Sequence, residues 1–315
     1  MLYQIKFLIV SKETVWFHTA LISCLLASIG FNCSFAQTEY GQYPAGAFGQ
    51  MKVAVVPPEG PTIVENGTLI YSASEFVDGD GNKQNFDTRV VANRTLAMKT
   101  TSLDILGADY AYAAAIPFGN FAAPRPLPGD EKALGLGDIY LQPLTLGWHS
   151  REWHTAAAYG LFVPTGRFTY GAKDNTGRGF WSHLVTLGVT YIEQKERPWN
   201  FTLQGRYEIP MEIDGTDITP GQSFITEYSI GKNISNTVEL GFVGYAVKQA
   251  TDIDGSDFNG DPSRYRYFGN GLELQYLAVE KDTWSMTMSL RSYWESNVRN
   301  APQGNFSIVS FGFVY

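Results

Sequence analysis

Apolar and polar residues alternate one for one through much of this chain. In Trp199-Asn-Phe-Thr-Leu-Gln-Gly-Arg-Tyr-Glu-Ile209 the apolar set is Trp199, Phe201, Leu203, Tyr207 and Ile209, broken only by Gly205. Between them stand Asn200, Thr202, Gln204, Arg206 and Glu208. A strand sends successive side chains to opposite faces, so this segment has one greasy and one polar face. Trp284, Met286, Met288 and Leu290 alternate with Ser285, Thr287, Ser289 and Arg291, and Leu272, Leu274 and Tyr276 with Glu273 and Gln275. The pattern predicts twelve strand-like runs, near 63–77, 85–98, 102–117, 136–149, 153–164, 180–194, 199–210, 222–232, 237–249, 264–279, 283–296 and 304–315. The run 85–98 carries Asp87, Arg89, Asn93 and Arg94 on both faces and has no clean side.

The connections alternate in length. Long ones rich in Gly, Asp, Asn and Pro lie at 78–84, 118–135, 165–179, 211–221, 250–263 and 297–303. Short ones lie at 99–101, 150–152, 195–198, 233–236 and 280–282. With an even number of strands and both termini at one end, every second connection falls at the same end. Short turns on one side and long loops on the other are the habit of bacterial outer-membrane barrels. A soluble sandwich buries its greasy face, whereas a membrane barrel turns that face to lipid. Arg206 on the lipid side would cost roughly 2–4 kcal/mol near mid-membrane, which fixes the polar face inward if the sheet closes. The expected fold is therefore all-β: a membrane-spanning, up-and-down antiparallel barrel of about twelve strands.

The ends agree. Residues 1–36 read as a signal peptide, with Lys6 and Lys12, an apolar run from Thr19 to Phe31, and Ser34-Phe35-Ala36 as a cleavage site near Ala36. Residues 37–61 are Gly/Pro-rich without periodicity and read as a flexible leader; residues 62–315 form the barrel. Phe311, Phe313 and Tyr315 share one face of an aromatic last strand, the feature that barrel-assembly machinery would recognise. Both cysteines, Cys24 and Cys33, fall in the signal segment, which excludes disulfides and thiolate chemistry from the remainder. The chain carries 23 basic and 31 acidic residues, a net charge of −8, and this acidic balance argues against nucleic acid. The expected partners are outer-membrane lipid and a small-molecule solute.

Five segments in order resemble a bacterial family of outer-membrane transporters named for the meta-cleavage pathway of phenol degradation. They are Gly135-Leu-Gly-Asp-Ile-Tyr140, Phe162-Val-Pro-Thr-Gly-Arg-Phe168, Asn175-Thr-Gly-Arg-Gly-Phe-Trp-Ser182, Pro220-Gly-Gln-Ser-Phe224 and Gly244-Tyr-Ala-Val-Lys-Gln249. The resemblance runs from about residue 60 to the end. It implies an outer-membrane barrel and uptake of hydrophobic or aromatic compounds.

The polar faces place Asp138, Arg206, Glu208, Glu227, Glu239, Glu273 and Arg291 in the lumen, as a lining for solute or as ion pairs that lock the barrel. The loop from Arg167 to Trp181 offers Arg167, Tyr170, Arg178, Phe180 and Trp181 as an outer mouth for an aromatic ligand through stacking and cation–π contact. Interfacial anchoring is the other reading of the same residues. Asp252-Ile-Asp-Gly-Ser-Asp-Phe-Asn-Gly-Asp261 and Asp78, Asp80 and Asn82 place oxygens at alternate positions but lack the late glutamate of a calcium loop, and read as acidic turns. No metal site and no cofactor is expected. Ser182 and His183 are adjacent and point to opposite faces, and no Gly-x-Ser-x-Gly elbow exists, so no catalytic set is expected. The function expected is passive uptake of small molecules in the outer membrane; a non-transporting structural or adhesive barrel is the alternative.

Overall fold

The structure, a computed structural model, describes residues 40–49, 51–121, 133–172, 174–258 and 264–315. The signal segment 1–36, the first leader residues, and Asn259 to Asp261 of the acidic loop lie outside the described residues. Thirteen strands succeed one another with no helix among the described residues: β1 (Thr62–Val77), β2 (Lys83–Ile105), β3 (Ala108–Phe121), β4 (Ala133–Leu136), β5 (Ile139–His149), β6 (Trp153–Val163), β7 (Ser182–Ile192), β8 (Trp199–Pro210), β9 (Ser223–Asn233), β10 (Val238–Gln249), β11 (Arg266–Lys281), β12 (Trp284–Arg299) and β13 (Ala301–Val314). All pairings are antiparallel; sequence neighbours pair, except that β3 pairs with β5 past the short β4, and β1 pairs with β13 from Ile63↔Val314 to Val77↔Ala301. The sheet thus closes into a twelve-strand barrel. The extra strand, β4, pairs only with the end of β3 and continues the line of β5 beyond a break at Gly137-Asp138. Pairing of β1 with β13 leaves the twelve-strand wall without a terminal edge strand, as a lipid-exposed sheet requires.

The alternation decides which side faces in. On β8, Asn200, Thr202, Gln204, Arg206 and Glu208 are buried, while Trp199, Phe201 and Leu203 are exposed on the exterior. Charged groups pair inside, and the apolar set forms an outer wall.

Two turns differ from the sequence expectation. The β2–β3 turn sits at Leu106-Gly107 rather than 99–101, so β2 is 23 residues long. Both turn residues have positive φ, 57° and 74°, as a tight two-residue hairpin demands. Lys99-Thr-Thr has no glycine and two β-branched residues, so the strand runs through it with a register shift between Thr100 and Asp104. The last connection, expected over 297–303, shrinks to Asn300 between β12 and β13, with Asn297 and Asn300 at φ 52° and 47°. Asparagine tolerates this left-handed backbone better than most residues.

The leader lies inside the barrel. At the end that carries the long loops, Tyr40 donates its hydroxyl to the Asn300 carbonyl at 2.6 Å. Midway, Arg94 Nη2 donates to the Ala47 carbonyl at 2.9 Å. Near the short-turn end, Lys52 meets Glu239, and Ala54 and Val56 pack on Ala111 and Ala156. Lys99 then binds the Gly60 carbonyl, and the chain turns into β1. The leader therefore threads the lumen from one end to the other.

Candidate functional site

The lumen has two unlike sides, and the leader divides them. One side is the inward face of β8, β9 and β10. Glu208 accepts the backbone N–H groups of Gln42 at 2.5 Å and Tyr43 at 3.3 Å, and the Ser182 hydroxyl at 2.7 Å. Glu227 accepts the Tyr43 hydroxyl at 2.9 Å, the Gly46 N–H at 2.8 Å and Arg206 Nε at 2.9 Å. Arg206 also donates to Thr186 and Gln204, and its guanidinium lies 4.5 Å from the centre of the Tyr43 ring. Glu239 accepts Lys52 Nζ and Asn200 Nδ2, each at 2.5 Å. Three glutamates therefore grip three successive stations of the leader. The sequence dictates this locally: inward positions must be polar to hold a bare backbone segment that has no ladder of its own.

A second cluster closes the lumen beside it. Arg94 pairs with Glu65 at 2.7 Å, and Arg291 reaches Glu65 and Glu273, each at 3.9 Å. Arg94 also stacks 4.4 Å over Phe48 of the leader. Opposite charges in direct contact allow such groups to be buried at all.

The other side is open. Between the leader and the wall of β13, β1, β2 and β3 lies a cavity of about 380 Å³. Its wall side is made of short side chains, among them Gly67, Ala92, Ala115 and Pro117, with Leu69 and Ile308. Its leader side is aromatic, with Tyr40, Tyr43 and Phe48. Tyr71, Tyr140, Phe162, Tyr245, Tyr267 and Phe306 complete the ring of aromatics. Tyr293 stacks on Phe306 and Tyr245 packs tilted against both, with centroids 4.7–5.8 Å apart, and the Tyr71 and Tyr245 hydroxyls both donate to Glu295. Polar residues lining the cavity include Gln42, Arg94, Asp138, Asn175, Thr176, Arg178 and Glu295. The break at Gly137-Asp138 lets Asp138 turn inward, where it accepts the N–H groups of Gly166 at 3.0 Å and Arg178 at 2.7 Å.

The expected lumen residues Asp138, Arg206, Glu208, Glu227, Glu239, Glu273 and Arg291 are all buried in the interior. They do not form one track: Asp138 lines the cavity, and the other six hold the leader or one another. The five mouth residues are dispersed. Arg178 lines the cavity and reaches the Tyr40 carbonyl at 3.3 Å. Arg167 pairs with Asp174 on the surface, and Tyr170 and Trp181 are exposed. Phe180 is buried with Ile213 and Ile218 in a small core shared by three long loops, against Phe168, Ile253 and Phe258. Two of those loops, β8–β9 and β10–β11, are joined by Asp217, which accepts the backbone N–H groups of Ser256 and Asp257, each at 2.8 Å, and the Ser256 hydroxyl. These bonds, the hydroxyl first, hold the Asp217 carboxyl below its usual range.

The cavity aromatics were the residues that sequence reasoning missed. Phe306 and Ile308 had a signal: they fall on the opposite parity from Phe311 and Phe313, which face outward in the structure. Tyr40, Tyr43 and Phe48 had none, because the leader lacks a period.

Three comparisons bear on this geometry. A family model described as "Putative MetA-pathway of phenol degradation" matches residues 61–311. A comparison with curated proteins finds no match. Among solved structures, the chain is similar to the COG4313 outer membrane channel from Pseudomonas putida F1, at 15% identity and TM-score 0.70, over 84% of this chain and 98% of that one. It is more loosely similar to a Pseudomonas aeruginosa FadL homologue, at 7% identity and TM-score 0.38, over 88% and 95%. The first match shows the same barrel fold, whereas the second is too loose to bear on function.

Proposed function

Because the chain belongs to the family described as "Putative MetA-pathway of phenol degradation", and because its barrel has a greasy exterior and a cavity inside, we propose that it is an outer-membrane channel for passive uptake of small hydrophobic or aromatic molecules. The cavity carries this reading. It is concave, largely apolar, ringed by aromatics, and has few polar groups, the usual make-up of a small-molecule site. A flat aromatic solute would enter from the long-loop end past Arg178 and Asp138 and stack in the ring of tyrosines. Nothing in this passage consumes energy, so flux follows the solute gradient. Phe311 and Phe313 on the exterior and the exposed Tyr315 fit the recognition of the last strand by barrel-assembly machinery.

The histidines support a conduit over an enzyme. His149 and His154 meet through their Nδ1 atoms at 2.8 Å near the short-turn rim, and His183 bonds Tyr159 at 2.7 Å on the exterior. None of the three faces the cavity.

Liposome swelling and planar-bilayer recording with phenol, toluene and a sugar of similar size test the proposal. Aromatic flux above that of the sugar is expected, and Ala115→Phe, which fills the cavity, should reduce it several-fold. A second reading, a sealed structural barrel, is favoured by the leader's grip on Glu208, Glu227 and Glu239. Absence of any flux with folded protein would select it.

A further inference from the structure

One arc of the barrel's outer rim gathers positive charge. Val247, Tyr265 and Val298 are buried, so alternation turns their chain neighbours Lys248, Arg264, Arg266 and Arg299 outward. Register sets three of these in a row across β10, β11 and β12: Lys248 stands opposite Arg266, and Arg266 opposite Arg299. With Gly79, Arg264 and Tyr265 they line a recess of about 350 Å³ at the long-loop end.

The row lacks its counter-charge. Arg264 pairs with Asp252 at 2.7 Å. Among the described residues, no carboxylate lies within ion-pair distance of Lys248, Arg266 or Arg299. Arg299 Nη1 donates to the carbonyl of its own neighbour Val298 at 2.8 Å. The carboxylate of Asp78, in the adjoining β1–β2 loop, is taken up by the N–H groups of Gly81 and Asn82, both at 2.7 Å. Like charges directly opposite one another destabilise a sheet, so the row as it stands is unfavourable without an anion. Other parts of the outer rim are built differently. They show apolar side chains such as Leu134 and Phe224, or pair their charge, as Lys83 does with Glu75 at 2.7 Å. In a chain of net charge −8 this arc is no general cationic coat.

Its height on the wall identifies the anion. Tyr276, exposed on the exterior near the short-turn end, and Arg266 lie about ten residues apart on β11. That span is about 34 Å of strand and, at a tilt of about 40°, about 26 Å of height. The apolar band of such a barrel is about 25 Å tall, so the row sits at the outer border of the membrane. Lipid headgroups lie there, and the outer leaflet of a bacterial outer membrane is a glycolipid with phosphorylated sugars. Its acyl chains meet Phe242, Leu272 and Trp294 on the exposed wall below, while its phosphates meet the cations. Arginine and lysine bind phosphate through charge-assisted hydrogen bonds. A free phosphate would use the charges alone, whereas the lipid uses the charges and the wall. We propose that Lys248, Arg266 and Arg299 form a binding site for the phosphorylated headgroup of an outer-leaflet glycolipid. The site rests on the outer-membrane barrel and is independent of what the channel carries.

Titration of the detergent-purified barrel with diphosphorylated lipid A, followed by native mass spectrometry, tests it. Lipid A should bind, and the triple variant Lys248→Gln, Arg266→Gln, Arg299→Gln should bind it about 100-fold more weakly, at roughly fivefold per cation. Heat-modifiable migration checks that the variant is folded. Lys83→Gln with Arg167→Gln, which also removes cations at the long-loop end, should change little. Lipid A stripped of both phosphates should bind the unsubstituted barrel as weakly as the triple variant binds the intact lipid. Unchanged affinity in the triple variant, an equal loss in the control pair, equal binding of the stripped lipid, or displacement of lipid A by an equimolar amount of inorganic phosphate would overturn the proposal. A barrel that binds lipid A at this row but passes no solute would remove the channel and leave the site standing.

Discussion

The two sides of the lumen are built from the same alternating strands and do opposite things. On β8 to β10 the inward face carries Glu208, Glu227 and Glu239, and each finds a station on the leader. On β13 to β3 the inward positions beside the cavity are mostly short or apolar, although Arg94 of β2 reaches the leader through the Ala47 carbonyl and the Phe48 ring. The difference shows that a barrel's inward face need not be a pore lining. Where inward residues can satisfy a backbone they recruit one, and where they cannot, space remains. The ion pairs hold the divider in place, and the small residues define the room beside it.

Cutting the grip at its centre should have the largest effect. Glu227→Ala leaves Arg206 buried without its anionic partner, and loss of one partner from such a pair costs about 3–5 kcal/mol. Urea unfolding of the liposome-reconstituted barrel measures this, and Glu227→Gln, which keeps acceptors for Tyr43 and Gly46, should lose less. Equal losses would mean that charge pairing is not what holds this side. Tyr43→Phe comes next. It removes a hydroxyl donated to Glu227 and keeps the ring under Arg206, so about 1.5–3 kcal/mol is expected by the same measurement. A third change probes the half-exposed end of the grip. Lys52 is 30% exposed, whereas Glu239 is buried and keeps the Asn200 amide, so Lys52→Met should cost about 1–2 kcal/mol. The smallest effect lies outside the lumen. Asp217 has its carboxyl held below the usual range, so the clasp between the β8–β9 and β10–β11 loops persists above that range and is lost as pH falls through the lowered value. Protease cleavage in 211–222 or 250–258 should rise only at acid pH, and Asp217→Asn should show it at neutral pH.

The barrel was largely legible in the sequence and its contents were not. Arg206 and Glu208 announced the inward face of β8, because a charge on the lipid face is costly and alternation leaves no third choice. The run 85–98 was illegible for a reason the structure supplies. Asp87, Arg89 and Asn93 do face outward and Arg94 inward, so β2 breaks the greasy-outside rule where it pairs with β1. The turn at Leu106-Gly107 was hidden by polar residues that continue the strand. The leader's course was beyond the sequence because it has no ladder and no period, and several of its hydrogen bonds go to residues more than 150 positions away, such as Glu208 and Glu239. The mouth residues failed to converge because loop side chains such as Phe180 found a small core of their own.

The threaded leader also sets an order of events during folding. Its carboxylate partners lie on the middle strands, whereas the β1–β13 seam joins positions as far apart as Ile63 and Val314. Joining the two ends of so long a chain is entropically dear and slow, so it comes late. A half-curled sheet of β8 to β10 can already hold Gln42, Tyr43, Gly46 and Lys52 before the seam zips. On that order the leader is a mandrel for the sheet, and the last pairing closes the wall around it.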